Sequence, residues 1–235
     1  MDTQTRHALK GDKFAQATKT SVTWLSGHRA IVTRWVVAAG IVIVVALGAL
    51  IFWNVRSAAA SDALGAALDA YTAPLAEPGA PKLTGEYATS AERSQAANEQ
   101  FVAVAQKYGW SASGARAHYF AGVTYTDLGK NDAAEKELKV AADSWNHNIS
   151  NLAKVALAGL YHQTNRDAQA INLYNAVIAK PSVTVSAAVA QLDLADLYAA
   201  TGKLQQAKAL WAKVKDTDKD GAAGSIAAQR LASGQ

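Results

Sequence analysis

The chain has 235 residues, four prolines, no cysteine and a formal net charge of +4. Without a thiol, a disulfide scaffold, a cysteine-ligated zinc module and a thiol enzyme are excluded. Alanine outnumbers β-branched residues beyond position 57, which favours helices and opposes a sandwich or barrel.

Residues 1–34 carry Arg6, Lys10, Lys13, Lys19, Arg29 and Arg34 against Asp2 and Asp12, so this segment holds the whole net charge and the remainder is neutral. A nucleic-acid binder concentrates its basic residues on the folded domain, so no nucleic-acid partner is expected. Here the charge flanks an apolar run and reads as a topology signal. Phe14, Ala17, Val22 and Leu25 recur at helical spacing, which suits either an interfacial helix on anionic lipid or a flexible tail.

Residues 35–53 contain no charged or polar side chain other than the two indoles. As a helix they span about 28 Å, close to the thickness of a bilayer's hydrocarbon core. A helix apolar on every face has no side for water, and Trp35 and Trp53 stand where indoles prefer the interface. The rival reading is a cleaved signal peptide, for which Ser57, Ala58, Ala59, Ala60 and Ser61 supply small residues. The leader and apolar core are longer than that reading needs. Six basic residues precede the run and only Arg56 follows closely, which predicts a cytoplasmic N-terminus and an external C-terminal domain. The expected location is a bacterial inner membrane crossed once, with the domain in the periplasm.

Beyond the span, residues 54–114 read as a degenerate helical hairpin. Its first helix covers 57–71, a proline-rich loop covers 72–87, and Ala97, Phe101 and Val104 mark the apolar face of its second helix. Residues 115–219 repeat with a period of 36 to 37: Tyr125, Tyr161 and Tyr198 align, as do Ala134, Ala170 and Ala207, then Leu138, Tyr174 and Trp211, then Ala141, Val177 and Val214. Spacings of 4 and 3 place the later positions on one helix face. Gly129, Asn165 and Gly202 tolerate a left-handed backbone and predict a turn between two helices. The basic residue after each turn (Lys130, Arg166, Lys203) reads as solvated surface. Gly122, Ala158 and Ala195, three before each tyrosine, permit close helix approach. Such a hairpin cannot bury its apolar face alone but can in a stack, and residues 220–235 supply a capping helix from Gly221 to Ala232.

This pattern, G/A-x-x-Y-x-x-x-G/N-x-x-x-x-A-x-x-x-bulky-x-x-A/V in three registered copies, resembles the tetratricopeptide repeat family. It departs from the family where His118, Lys154 and Gln191 replace an aromatic residue, and where a closing proline occurs only as Pro181. The fold expected is therefore all-α: one transmembrane helix, an α-solenoid of hairpins and a C-terminal cap. The resemblance implies a protein-binding groove lined by first helices, at positions matching Tyr119, Val123, Asp127, Val155, His162, Leu192 and Asp196. The overall plan is similar to YfgM-type ancillary subunits of the SecYEG translocon. That similarity implies translocon subunits and periplasmic folding factors as partners, with a structural subunit of one stable inner-membrane complex as the alternative.

Other motifs are incomplete. Asp216, Asp218, Asp220 and Gly221 match the start of an EF-hand loop, but position twelve is Ala227 and the bidentate glutamate is missing, so a charged solvated linker is expected. Gly109 to Ser113 approaches a nucleophile elbow without the required strand, which suggests a loop between helices. The five histidines (His7, His28, His118, His147, His162) have no metal-binding spacing, and no glycine-rich phosphate loop occurs. No enzyme, cofactor, metal or small-molecule substrate is expected; proteins are the expected partners.

Overall fold

The computed structural model describes residues 29–77 and 83–233; the segment from Phe14 to Leu25, read as either an interfacial helix or a flexible tail, lies outside the described residues. The chain divides into two compact units, Met1–Arg56 and Ser57–Gln235. Helix α1 runs from Arg29 to Thr72. Its large apolar side chains from Trp35 to Trp53 are exposed, Trp35 by 73% and Trp53 by 58%. Among the described residues, one helix is long and apolar enough to cross a membrane.

The second unit is an all-α solenoid of sequentially packed helix pairs. Residues 57–72 of α1 pair with α2 (Ser90–Tyr108), α3 (Ala112–Asp127) with α4 (Asn131–Ala142), α5 (His147–Gln163) with α6 (Asp167–Ala179), and α7 (Ala187–Ala200) with α8 (Leu204–Thr217). Helix α9 (Ala222–Ala232) follows. In the first pair, Ala60, Leu64 and Ala67 meet Ala97, Phe101 and Val104, all buried. The proline-rich connection is pinned between them: Tyr87 N donates to Pro74 O (3.1 Å) and Ala76 N to Tyr87 O (2.8 Å).

Each of the next three hairpins closes in the same way. Gly129, Asn165 and Gly202 have φ of 69°, 59° and 75°. Their N–H groups donate back three residues, to Thr126, His162 and Ala199, and the following N–H donates back five, from Lys130 to Tyr125, Arg166 to Tyr161 and Lys203 to Tyr198. This is the Schellman closure, which brings the residue after the left-handed one against the residue five before it. The basic side chain therefore returns over the tyrosine ring, 5.9 Å (Lys130), 4.3 Å (Arg166) and 5.6 Å (Lys203) from its centroid. The expectation that these cations are merely solvated is corrected by this contact, worth roughly 0.5–1 kcal/mol at an exposed site. Arg166 also departs by pairing with Glu135 of the preceding hairpin at 2.7 Å, where Tyr161 Oη donates to the same carboxylate at 3.2 Å.

First helices begin on side-chain caps instead: Ser111 accepts from Gly114 N, Asn146 from Asn148 N and Ile149 N, and Ser186 from Val189 N. Ser111, the residue that approached a nucleophile motif, is thus a helix cap in a loop between helices. Inside the hairpins, Gly122 sits where a Cβ would come 2.5 Å from Leu138 Cγ, which explains its small size. Helix α3 packs directly on α5, whereas α5 and α7 are joined through α6. The linkers differ correspondingly, spanning residues 143–146 before α5 and 180–186 before α7.

Helix α9 covers the last pair by placing Ala223 and Ala227 on Trp211 and Val214. Its start is held by Asp218, whose Oδ2 accepts from Gly224 N at 3.0 Å. Asp218 is therefore a cap, a more specific role than the solvated linker expected there. Trp211 is 1% exposed and donates Nε1–H to Asp196 Oδ1 at 2.9 Å. Trp211→Ala is expected to cost about 3–5 kcal/mol, whereas Trp145→Ala, at a side chain 77% exposed, should change stability by less than about 0.5 kcal/mol. Urea unfolding of the full chain followed by helical circular dichroism checks both.

Candidate protein-binding surface

The seven residues expected to line a groove separate into different environments. Tyr119, Val123 and Asp127 share one side of α3, at successive helical turns. Tyr119 is half-buried with its ring edge-on to Phe120 at 5.0 Å, and Phe120 stacks on Phe101 at 5.1 Å. Burial raises the Tyr119 hydroxyl pKa, and the nearby Tyr71 adds to it. Val123 is half-buried and Asp127 exposed. The protein around the Asp127 carboxyl raises its pKa, opposed by Arg93 and by a hydrogen bond from Ser94. Val155 is half-buried against the cores of the α5–α6 and α6–α7 junctions.

Leu192 differs. It is 7% exposed and belongs to the cluster formed by Trp211, Ala223 and Ala227, so its side chain serves the core beneath the capping helix and offers a partner little area. Helix α9 covers this position, whereas the equivalent Tyr119 and Val155 are half-buried against the next hairpin.

His162 and Asp196 do come together. They line one pocket of about 330 Å³, with Gly159 from α5, Tyr174 from α6 and Asp193, Leu197 and Ala200 from α7. His162 Nδ1 lies 2.7 Å from Asp167 Oδ1. Asp196 is already engaged on both oxygens, by Trp211 Nε1 and by Arg230 Nη2 at 3.2 Å. Asp193 is not: among the described residues it has neither a hydrogen bond nor a cationic partner. Burial, then the Asp196 charge, pushes its pKa up to about 6. Tyr174 is 8% exposed, and burial followed by the charges of Asp193 and Asp196 raises its hydroxyl pKa.

The repeat register contains a signal for this pocket that a groove alignment passes over. Asp193 stands where the other hairpins have Phe120 and Ala156, and Tyr174 where they have Leu138 and Trp211. Polar groups thus occupy two positions that are apolar elsewhere. Gly159 matches Val123 and Asp196, and a Cβ there would meet nothing within 4 Å, so the missing side chain opens the space.

The sequence profile of the tetratricopeptide repeat family matches residues 115–143, which covers most of α3 and all of α4. No curated protein and no solved structure matches the chain. A tetratricopeptide-type hairpin repeat able to bind proteins thus agrees with both profile and fold. Among the described residues no group of three His, Cys, Asp or Glu side chains is placed to hold a metal. The match to the repeat profile is consistent with a non-enzymatic scaffold.

Folding raises the Asp193 pKa above its unfolded value of about 3.9, so the native state holds that proton more tightly. The charged carboxylate destabilises the fold at pH 7, and this penalty disappears as pH falls through about 6 towards 4. Asp193→Asn is expected to raise the unfolding free energy at pH 7 by about 1–2 kcal/mol, allowing for solvent screening. The gain should vanish near pH 4. Urea unfolding of both proteins at the two pH values checks the sign.

Proposed function

We propose that the chain is a membrane-tethered scaffold whose helical hairpins bind other proteins at the outer face of a bacterial inner membrane. The observation that carries this reading is the combination, in one chain, of a fully exposed apolar helix segment and a stack of tetratricopeptide-type hairpins. The bilayer is the solvent that such a segment matches. The basic excess before it favours a cytoplasmic N-terminus and a periplasmic domain. Tethering raises the local concentration of partners at the membrane, so weak individual contacts suffice.

The surface of α3 around Tyr119, Val123 and Asp127, with Val155 and His162 on α5, is the proposed contact region. Half-buried apolar side chains beside carboxylates suit an extended or helical segment of a partner. Translocon subunits and periplasmic folding factors are the partner class that the similarity in plan to YfgM-type subunits implies. A structural role inside one membrane complex is the second reading. The observation in its favour is the uncovered span itself, where Gly40 and Gly48 have nothing within 4 Å of their Cβ positions and leave room for a neighbouring helix.

The cysteine-free chain makes topology directly testable, because single introduced thiols have no background. In spheroplasts, a thiol replacing Lys136 should react with a membrane-impermeant maleimide and one replacing Thr20 should not; the reverse pattern would overturn the orientation. Photo-crosslinking probes at Val123 and His162 should capture translocon subunits or periplasmic chaperones at least tenfold above a probe at Lys208. Adducts arising only from a probe at Val42, all to one membrane complex, would instead establish the structural-subunit reading.

A further inference from the structure

We infer that the pocket between α5 and α7 receives the ammonium or guanidinium head of a lysine or arginine side chain carried by a bound polypeptide. The inference deepens the protein-binding reading and rests on it. The pocket belongs to the first-helix layer, since six of its seven lining residues lie on α5 and α7.

Several features specify the ligand. Asp196 is answered by Arg230 and Trp211, which leaves Asp193 as a carboxylate without a cationic partner among the described residues. Tyr174 is more than nine-tenths buried, lines the same space, and its hydroxyl has no hydrogen-bond partner among the described residues. Its oxygen keeps solvent access and is therefore open to a partner that enters the pocket. One ligand that donates several hydrogen bonds and carries a positive charge satisfies both groups, which describes an ammonium or guanidinium. A bare metal ion is a poor fit, because no three suitable ligands converge among the described residues. The remaining wall consists of His162, whose Nδ1 is held 2.7 Å from Asp167 Oδ1, and of Gly159, Leu197 and Ala200, which give an apolar surface of the kind that long basic side chains cover with their methylene stems. At about 330 Å³ the volume stands at the lower end of the range for ligand pockets, near 300–1,000 Å³, and suits one long side chain.

The pocket exists through two departures from the repeat pattern acting together. Gly159 removes a side chain from the α5 wall, and Asp193 places a carboxylate on the α7 wall. Either alone would give a void or a solvated acid. Their coincidence at the junction where α5 and α7 are joined through α6, beside the longer linker at 180–186, gives a recess with charge at one side.

The test uses the full chain in lipid nanodiscs, titrated with N-acetyl-lysine methylamide, its arginine and norleucine counterparts, cadaverine, and an acetylated, amidated nonapeptide library with a central lysine. The lysine and arginine derivatives should bind at least tenfold more tightly than norleucine, and the library more tightly still. Asp193→Asn, which leaves a fold at least as stable, should lose the preference. Gly159→Leu should abolish binding by filling the recess, and Tyr174→Phe should weaken it severalfold. Cadaverine binding as tightly as the library would keep the cation site but overturn the polypeptide source. Equal affinity for lysine and norleucine, no binding by any probe, or an unaltered preference in Asp193→Asn would overturn the site. In those cases the crosslinks from Val123 decide the protein-binding reading independently.

Discussion

The solenoid depends on one local constraint, the left-handed residue that closes each of its three full hairpins. A positive φ at Gly129, Asn165 and Gly202 allows two backbone N–H groups to turn back onto the carbonyls of the helix just ended, and the chain reverses without leaving those acceptors unpaired. Everything downstream takes its register from that reversal. The tyrosine five residues before the basic side chain is held beside the turn, and the small residue three before the tyrosine faces the incoming helix. The bulky residue nine after the turn (Leu138, Tyr174 or Trp211) lands in the space the small residue leaves. Because second helices start from the turn itself, they need no side-chain cap, and none is found at Lys130, Arg166 or Lys203.

Stacking then converts identical hairpins into unequal neighbours. Glu135 ties the first full repeat to the second by accepting from Arg166 and Tyr161 while pairing with Lys139 in its own helix at 2.7 Å. Those bonds, Lys139 foremost, hold its carboxyl pKa below the ordinary value. The junction between α5 and α7 is looser and carries the acidic pocket. The last hairpin ends under α9, where the half-buried Asp196 is engaged by Trp211 and Arg230. The proposed ligand site is therefore a property of one junction, arising where two hairpins fail to repeat each other side chain for side chain.

The two units differ in how their apolar side chains are covered. In the first, every described large apolar side chain from Trp35 to Trp53 is exposed. In the second, alanine supplies much of the core: Ala97, Ala117, Ala121, Ala134, Ala141 and Ala170 have no exposed area. Small side chains let the helices approach closely, and the few large ones (Phe101, Leu138, Leu160, Trp211) fill the gaps between them. Such a core has little spare volume, so the pocket beside Gly159 stands out as the place where space was left.

The sequence by itself determined the helices, their turns and their pairing, because these follow from short-range rules. A left-handed residue fixes a turn, a 4-and-3 spacing fixes a face, and a period of 36 to 37 fixes which faces meet. It also located the aromatic and small residues of each hairpin core, and two of the pocket residues, His162 and Asp196. Only the tertiary structure decided which polar groups are already satisfied. Leu192 and Asp196 occupy positions equivalent to half-buried ones in earlier hairpins; α9, which packs on the last hairpin alone, buries Leu192 and supplies the Arg230 that engages Asp196. Asp193 and Tyr174 carry no motif; they become a site because Gly159, some fifteen to thirty-five residues earlier in the chain, leaves a gap across the junction. Burial and charge pairing depend on what lies opposite a side chain in space, and no periodicity along the chain encodes that where the repeats differ.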